Sequence, residues 1–560
     1  MEGAELVQHY LSMHLYEDAT FICERLYAKD KSEDAMYLLA SCYHRAGKYF
    51  RATELLKDAT SAKNRYLRAT CAFAIGDEQH LLAAERCLLQ ECEKAARSAQ
   101  GQARRKPTIG PDAAKQFPSM IPMGAAGFAL LGKICRKNNR RTQAIDYYRM
   151  ALTLDATMWT CYAALCELGD SSLDVDETFS SDKIVKGGRP EPSTRAYRTP
   201  VSGQAAGALS TPASSKVASG SKSSPSENEL LALLKIIGKG YSFLCRYRCR
   251  EAIQTLKTLP AEQFSTSWVL HQVGRAHFEL TEYAKAATSF EKLRRIEPSY
   301  IEGMEIFSTA LWQLKREKDL CYLAQEVVRF GRESPQAWCV VGNCFSLQKE
   351  HETALKFFKR AIQLDPAFAY AFTLSGHEFV SNEDFDKAME FYRHAIRADE
   401  RHYNAWYGLG TIYFRQEKFD LAVFHFRRAL AINSQSSVLY CYLGMVHSAQ
   451  GDDTMALEML YRASEVEPSN PQAKFHRANV LIKMGRYEEA LEQLESVRDF
   501  VPREAAVRFK MGKVCKRLGR TDEAMMHFTT ALDLDPKDSN RIKAAIDKLN
   551  DPSDDVDDGL

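Results

Sequence analysis

Apolar residues recur at intervals of three and four along the second half of the chain, a spacing typical of amphipathic α-helices. In the segment that begins at Pro335, large side chains stand at positions 4, 11 and 24, and small ones at positions 8, 20 and 27. In that order, these residues are Trp338, Phe345, Phe358, Gly342, Ala354 and Ala361. Pro366 follows at position 32 and cannot continue a helix. The pattern therefore predicts two short antiparallel helices that approach each other closely through the small residues.

The same pattern returns at a constant interval and without an insertion. Position 8 is occupied by Gly240, Gly274, Ser308, Gly342, Gly376, Gly410, Gly444, Ala478 and Gly512. Position 20 is occupied by Ala252, Ala286, Leu320, Ala354, Ala388, Ala422, Ala456, Ala490 and Ala524. A helix pair that recurs every ~34 residues is the tetratricopeptide repeat, so nine units are predicted. The unit from Ile301 is the weakest, because Leu320 replaces the expected alanine.

One helix pair cannot bury its apolar face alone, so neighbouring units stack into a solenoid. A less regular form of the pattern appears near the N-terminus, for example at Ala40, Tyr43 and Ala52. We predict an all-α fold, a tetratricopeptide-repeat superhelical solenoid of two arrays joined by a disordered linker. The predicted segments are an N-terminal array at 1–169, the linker at 170–229, the nine-unit C-terminal array at 230–538, a capping helix at 539–550 and an acidic disordered tail at 551–560.

The predicted linker is rich in Ser, Thr, Gly, Pro and Ala and holds almost no large apolar residues. Such a segment cannot bury enough surface to offset its ordering entropy. Proline follows Thr199, Thr211 and Ser224, which makes these three residues candidates for phosphorylation by proline-directed kinases. The alternative is that such pairs are simply common in disordered sequence.

Composition is that of an ordinary soluble protein, with 45% apolar and 26% charged residues and a formal net charge of +2. The charge gives no reason to expect nucleic acid or an anionic membrane as a partner. No apolar stretch approaches the roughly 20 residues that span a bilayer, and the N-terminus does not resemble a signal peptide. The 15 cysteines, scattered singly at apolar positions, suit a reducing compartment such as the cytosol or nucleus.

Motifs for catalysis and metal binding are lacking in the sequence. It has no phosphate-binding G-x-x-x-x-G-K-[ST] loop and no H-E-x-x-H zinc motif, since the His-Glu pairs at His351 and His377 lack the second histidine. No C-x-x-C pair occurs, so no zinc-binding ubiquitin-ligase module is expected. We predict a protein that is not an enzyme, with no catalytic residue, metal or cofactor.

Several runs of residues resemble one family. They are Gly342–Gln348, Gly376–Val380, His402–Gly410, Lys474–Ala478 and, near the N-terminus, Ala40–Lys48. The chain resembles, over both arrays, the cell-division-cycle twenty-seven subunit of the anaphase-promoting complex, or cyclosome. This resemblance implies a scaffold of a multi-subunit ubiquitin ligase that marks mitotic regulators for degradation, in the nucleus and cytoplasm.

The resemblance also implies partners. These are the other subunits of the complex, a second copy of the chain bound through the N-terminal array, and coactivators whose Ile-Arg tails enter the C-terminal array. Two alternatives stay open: a tetratricopeptide adaptor of another assembly, such as a chaperone or transport complex, and a sister scaffold of the same complex.

Peptide-binding candidates follow from the repeat, because positions 2, 5, 9, 12 and 13 of each first helix line the concave face and are free of the core requirement. Their aromatic, amide and hydroxyl groups suit a short peptide with an apolar side chain and a polar end. The alternative is that they only solvate the inner face. The candidates, which include Glu378 beside the groove as a possible partner for an arginine, are Asn343, Leu347, Tyr370, His377, Glu378, Asn404, Tyr407, Thr411, Phe414, Phe475 and Asn479.

Overall fold

The computed structural model describes residues 3–100, 114, 118–179, 225–468, 470–534, 539–547 and 549. Within these residues every regular element is a helix, which confirms the all-α prediction. Contacts divide the chain into a first unit, Met1–Cys245, and a second unit, Arg246–Leu560. No helix of the described ranges is both long and apolar enough to cross a membrane.

The first unit contains eleven α-helices among its described residues, together with a short 3-10 turn at Pro118–Met120. The helices are α1 Gly3–Ser12, α2 Tyr16–Lys29, α3 Glu33–Arg45, α4 Tyr49–Leu55, α5 Ala62–Ile75, α6 Glu78–Gln100, α7 Ala125–Lys137, α8 Arg141–Leu154, α9 Trp159–Leu168, α10 Val175–Thr178 and α11 Pro225–Cys245.

The ends of the predicted linker are ordered, which corrects the prediction for residues 170–179 and 225–229. Asp170 accepts two hydrogen bonds from Arg149, at 2.7 and 2.6 Å, and its side chain is almost fully buried. Phe179 is fully buried, and its ring lies 5.0 Å from that of Tyr162. Local composition misses this order because the partners, Arg149 and Tyr162, lie outside the segment itself. Thr199, Thr211, Ser224 and the acidic tail lie outside the described residues.

Helix α11 belongs to the first unit, so the division falls at residue 245 and not at the predicted 229. The Tyr162 hydroxyl donates a 3.0 Å hydrogen bond to the Gly238 carbonyl, and the Tyr241 hydroxyl donates to Glu167 at 2.9 Å. These contacts pack α11 against α9 with the aromatic side chains of both helices.

The second unit continues the helix pairs at the predicted interval. From Pro335 onward the first helix of every pair has 13 residues and the second has 14 residues. The pairs start at one constant spacing, at Pro335, Ala369, Tyr403, Ser437, Pro471 and Ala505. The helices are α12 Cys249–Leu256, α13 Ala261–Phe264, α14 Ser267–Glu279, α15 Tyr283–Ile296, α16 Met304–Gln313, α17 Glu317–Phe330, α18 Pro335–Leu347, α19 His351–Leu364, α20 Ala369–Ser381, α21 Phe385–Ala398, α22 Tyr403–Arg415, α23 Phe419–Ile432, α24 Ser437–Ala449, α25 Asp453–Val466, α26 Pro471–Lys483, α27 Tyr487–Phe500, α28 Ala505–Arg517, α29 Thr521–Leu534 and α30 Ser539–Asp547.

The turn inside each pair places position 15 in the left-handed region. After α18, for example, Lys349 has φ of 64°, and the Glu350 N–H bonds to the Phe345 carbonyl at 3.0 Å. This closure of the helix end satisfies carbonyls that would otherwise be left unpaired. The same conformation recurs at Tyr247, Thr281, Lys315, Glu383, Glu417, Gly451, Gly485 and Gly519. The turn is thus a property of the repeat and does not require glycine.

In the repeats that begin at Ser267, Pro335, Tyr403 and Ala505, the core is built from a small residue that faces a large one. A Cβ added at Gly342 would lie 2.2 Å from the Phe358 ring, and Phe358 and Ala354 are fully buried. Gly274 with Phe290, Gly410 with Phe426 and Gly512 with Phe528 repeat this contact. The packing confirms the roles assigned to positions 8, 20 and 24.

The repeat from Ile301 departs from the others, as its sequence indicates. Its first helix, α16, begins only at Met304, because Gly303 precedes it with φ of 80°. A side chain at Gly303 would meet the His271 ring, so this position requires glycine for space as well as for conformation.

The solenoid of the second unit curves until distant repeats meet. The Tyr403 hydroxyl donates a 2.8 Å hydrogen bond to Glu279, 124 residues away, and the rings of Tyr403 and Tyr247 meet edge to face at 5.2 Å. At the other end, α30 packs on α29 with Ile542 buried. The first helices of the repeats therefore enclose a curved inner surface.

Candidate functional site

The inner surface of the second unit, called the groove below, is formed by positions 2, 5, 9, 12 and 13 of the first helix in each repeat. The structure places the eleven predicted residues on four such helices. Helix α18 carries Asn343 and Leu347; α20 carries Tyr370, His377 and Glu378; α22 carries Asn404, Tyr407, Thr411 and Phe414; and α26 carries Phe475 and Asn479. Two regions result, one on α18–α22 and one on α26.

Asn343 and Tyr370 belong to one hydrogen-bond network that spans three repeats. The buried Asn343 amide donates to Ser308 at 2.8 Å and to Thr309 at 3.0 Å. The Thr309 hydroxyl also lies 2.8 Å from the hydroxyl of Tyr370. These contacts fix two of the predicted side chains to α16.

Glu378 is buried and already has partners, which corrects the expectation that it pairs an incoming arginine. Ser346 donates to its carboxylate, and His351 Nδ1 lies 2.6 Å from its other oxygen. Ser346 in turn accepts a 3.2 Å hydrogen bond from the indole of Trp312. Glu378 therefore holds α18 and α20 in register.

His377 is the exposed member of the predicted set. Its Nδ1 lies 2.9 Å from the hydroxyl of Tyr392, a core residue. Desolvation by the surrounding protein, and to a lesser degree the neighbouring His402, lowers the pKa of His377 to about 4. The imidazole is thus neutral at pH 7, able both to donate and to accept a hydrogen bond.

Helix α22 contributes an aromatic wall. The Tyr407 ring meets that of Tyr442 edge to face at 5.2 Å, and the Phe414 and Phe419 rings are 6.1 Å apart. Thr411 donates its hydroxyl to the Tyr407 carbonyl of its own helix, at 3.0 Å. Asn404 and Leu347 are half-buried, and Leu347 packs on the apolar cluster of α16–α18. This region offers apolar surface beside polar groups.

Phe475 and Asn479 face a basic surface on α28. The Lys510 ammonium donates to the side-chain oxygen Oδ1 of Asn479 and lies 5.0 Å from the centre of the Phe475 ring. Burial lowers the pKa of Lys510, and the nearby Lys513 and Arg541 lower it further. These two predicted residues therefore belong to a positively charged region, separate from the network on α16–α22.

Sequence reasoning missed Glu305, on the first turn of α16. It is 8% exposed, and its Oε2 has no hydrogen-bond partner among the described residues. Desolvation raises the pKa of its carboxyl to about 7, although hydrogen bonds from the backbone of Glu305 and Gly303 and the charge of Arg275 oppose the shift. An acidic residue at position 5, an inner position, was a usable signal. It was passed over because the repeat from Ile301 matches the pattern poorly.

Fold and groove define a tetratricopeptide-repeat scaffold. Tetratricopeptide sequence profiles match residues 128–158, 335–368, 369–402, 403–436, 447–514 and 505–538. The profile described as "Anaphase-promoting complex, cyclosome, subunit 3" matches residues 12–90. Because a relative with 31% identity is also matched over 74% of its length, the chain belongs to this family, the cell division cycle protein 27 family. It is accordingly a scaffold subunit of the cell-division machinery and not an enzyme.

Three relatives document the membership. Cell division cycle protein 27 homolog A of Arabidopsis thaliana is 31% identical over 553 residues, which covers 67% of this chain and 74% of the relative. Anaphase-promoting complex subunit 3 of Schizosaccharomyces pombe is 50% identical over 152 residues, 27% and 23% of the two chains. The Homo sapiens cell division cycle protein 27 homolog is 53% identical over 137 residues, 24% and 17% of the two chains. The family resemblance noted from the sequence is confirmed.

A solved structure shows the same fold. A chain in the crystal structure of the APC/C hetero-tetramer Cut9–Hcn1 superposes with a TM-score of 0.63 at 17% identity. The match covers 97% of this chain and 95% of that one. At this identity the likeness concerns the fold alone.

Proposed function

We propose that this chain holds other subunits of the anaphase-promoting complex together and receives Ile-Arg chain ends in the groove of its second unit. In this role it supports ubiquitin-dependent degradation of cell-cycle regulators, in the nucleus and cytoplasm. A reducing compartment agrees with the cysteines, because no disulfide joins any of the 15, all of which lie in described residues.

One observation carries the peptide-binding proposal: the groove holds a buried carboxylate with an unsatisfied oxygen. Leaving a buried charged group unpaired is costly, and a ligand cation would relieve that cost. Glu305 is linked to the predicted groove residues through Thr309, whose hydroxyl lies 3.0 Å from the Glu305 carbonyl oxygen and contacts both Asn343 and Tyr370.

The three parts of an Ile-Arg end each meet a suitable group. The Glu305 carboxylate accepts hydrogen bonds from the guanidinium of the arginine. The aromatic wall of Tyr407 and Phe414 suits the isoleucine side chain, and the neutral His377 or the Asn404 amide donates to the terminal carboxylate. Such a site combines a few anchors with polar orientation, as short-peptide grooves do.

The test is titration of the full chain with a peptide that ends in Ile-Arg. Asn343→Ala combined with Tyr407→Ala is expected to weaken binding of the peptide by at least about tenfold, because both side chains form part of the groove. His377→Ala should weaken binding at a cost in stability of about 1 kcal/mol, because the side chain is exposed and only its contact with the Tyr392 hydroxyl is lost. Phe424→Ala is the control, because Phe424 is 53% exposed and belongs to the second helix of its repeat.

Thermal unfolding of each variant separates loss of fold from loss of contacts. Unchanged affinity in the double variant would place the peptide elsewhere on the chain, for example at the basic surface of α28.

We also propose that the first unit joins two copies of the chain. Its helices α2 and α4 expose Phe21 and Phe50 at 60% and 64%, and Met13, between α1 and α2, is 56% exposed. Large exposed apolar residues often mark protein interfaces.

Phe21→Glu combined with Phe50→Glu is expected to convert a dimer into a monomer in sedimentation velocity. A carboxylate buried at the interface without a partner strongly opposes association. Phe424→Glu, a matched exposed phenylalanine of the second unit, should leave the dimer intact. A monomeric wild-type chain, or a double variant that remains dimeric, would refute the assignment of the dimer interface to α2 and α4.

A further inference from the structure

Two thiols meet between helices α17 and α18 of adjacent repeats. The sulfur atoms of Cys321 and Cys344 lie 3.1 Å apart. Of the 15 cysteines, all within the described residues, Cys321 is the one that is not buried. The pair therefore combines contact between two sulfurs with access from solvent.

The surroundings of the pair give the two sulfurs different roles. Burial, the contact with Cys321 and the charge of Glu317 raise the pKa of Cys344 to about 12, so it stays a thiol at neutral pH. An oxidant in solution first meets the half-buried Cys321, whose sulfur also accepts a 3.9 Å hydrogen bond from the exposed Gln348 amide. The nucleophile in thiol oxidation is the thiolate, and its reaction is controlled by access as well as charge.

We propose that Cys321 and Cys344 form an oxidation site at which a peroxide generates a disulfide that links α17 to α18. The Cys321 thiolate attacks one oxygen of hydrogen peroxide, the O–O bond breaks, and hydroxide leaves to give a sulfenic acid. The Cys344 sulfur then loses its proton, attacks the Cys321 sulfur and displaces the sulfenic oxygen, which departs as water. In total two thiols and one peroxide give one disulfide and two waters, and two electrons pass from sulfur to oxygen.

Formation of the Cys321–Cys344 disulfide alters the shape of the groove, and this part of the inference rests on the proposed function. A disulfide is about 2.05 Å long, so the sulfurs must approach by about 1 Å. Cys344 is next to Asn343 and two residues from Ser346, which donates to Glu378. A covalent bond from Cys344 to α17 displaces this part of α18. It should therefore lower the affinity of the groove for a peptide that ends in Ile-Arg.

A second thiol pair provides an internal control. Cys23 and Cys42 are hydrogen-bonded to each other in the first unit, but they are only 1% and 0% exposed. If contact alone were sufficient, both pairs would oxidise. If access is also required, only Cys321 and Cys344 react in the folded chain.

The experiment treats the full-length chain with hydrogen peroxide, blocks the remaining thiols and maps peptides without reduction. We expect a loss of two of the 15 thiols, both in one peptide that joins residues 321 and 344, with Cys23 and Cys42 still reduced. Cys321→Ser should abolish the linked peptide, and Cys42→Ser should leave it unchanged. A sulfinic acid at Cys321 without the link, or a link between two chains, would overturn the inference.

Titration of an Ile-Arg peptide with reduced and oxidised chain then tests the effect on the groove. We expect a several-fold loss of affinity that a reductant reverses and that Cys321→Ser prevents. A disulfide with no change in affinity overturns the regulatory part. If the disulfide forms but the reduced chain does not bind the peptide, the proposed function fails while the oxidation site stands.

Discussion

Tyr392→Ala is expected to lower the free energy of unfolding of the second unit by about 3–5 kcal/mol, as other large-to-small changes of buried aromatic residues do. Tyr392 is 1% exposed, and its ring lies between two glycines of neighbouring repeats. A Cβ at Gly376 or Gly408 would approach the ring to 2.5 or 2.4 Å, so no space remains for another arrangement. Truncation would leave a cavity between α20 and α22 that the rigid helix backbones cannot fill.

Tyr392→Phe is the matched control, because it keeps the ring and removes only the hydroxyl that contacts His377. We expect a stability loss of about 1 kcal/mol for this variant, together with weaker peptide binding if His377 orientation matters. Urea denaturation followed by tryptophan fluorescence reports mainly on the second unit, since Trp268, Trp312, Trp338 and Trp406 lie there. Equal stability of Tyr392→Ala and wild type would contradict this close packing.

Glu305→Gln is expected to stabilise the second unit at pH 8 by up to about 3 kcal/mol. In the folded chain the pKa of Glu305 rises from its ordinary 4.5 to about 7, because burial disfavours the charged form. Folding therefore favours the protonated carboxyl, and stability falls as the pH rises from 4.5 through 7. Glutamine remains neutral and avoids this loss, so the difference between variant and wild type should vanish below pH 4.5.

The same variant is expected to lose peptide selectivity. Wild-type chain should prefer a peptide that ends in Ile-Arg over one in which neutral citrulline replaces arginine, and Glu305→Gln should bind both equally. Glu302→Gln is the matched control, because Glu302 is in the same repeat but exposed. If Glu305→Gln were more stable than wild type but equally selective, the buried carboxyl would have no part in ligand recognition.

Prediction from the sequence succeeded where the structure follows the repeat pattern itself. The constant interval between repeats located α18, α20 and α22 and assigned Gly342, Ala354 and Phe358 to the core. It failed at Asp170, which was placed in a disordered linker from local composition. The stabilising partner, Arg149, belongs to another helix, and the linker pattern carries no trace of it.

For the candidate site, the sequence predicted the helices that carry its residues but not the contacts that these residues make. Periodicity placed Asn343 on the inner face and Glu378 beside it, yet both side chains are hydrogen-bonded to neighbouring repeats, through Ser308, Ser346 and His351. Glu305 was missed because its repeat is irregular. The repeat pattern predicts which way a side chain faces. Whether that side chain still has a free hydrogen-bonding atom depends on residues in the adjacent repeats.

The amino-acid sequence by itself determined the repeat, the close approach of small to large residues within each helix pair, and the family. These follow from local spacing, because helix pairing is governed by residues that are near in the chain. Only the tertiary structure decided which inner polar groups keep an unsatisfied atom, which thiols touch, and that Tyr403 reaches Glu279 across 124 residues. The reason is that a solenoid's curvature sums small rotations between successive repeats, and no single repeat encodes that sum.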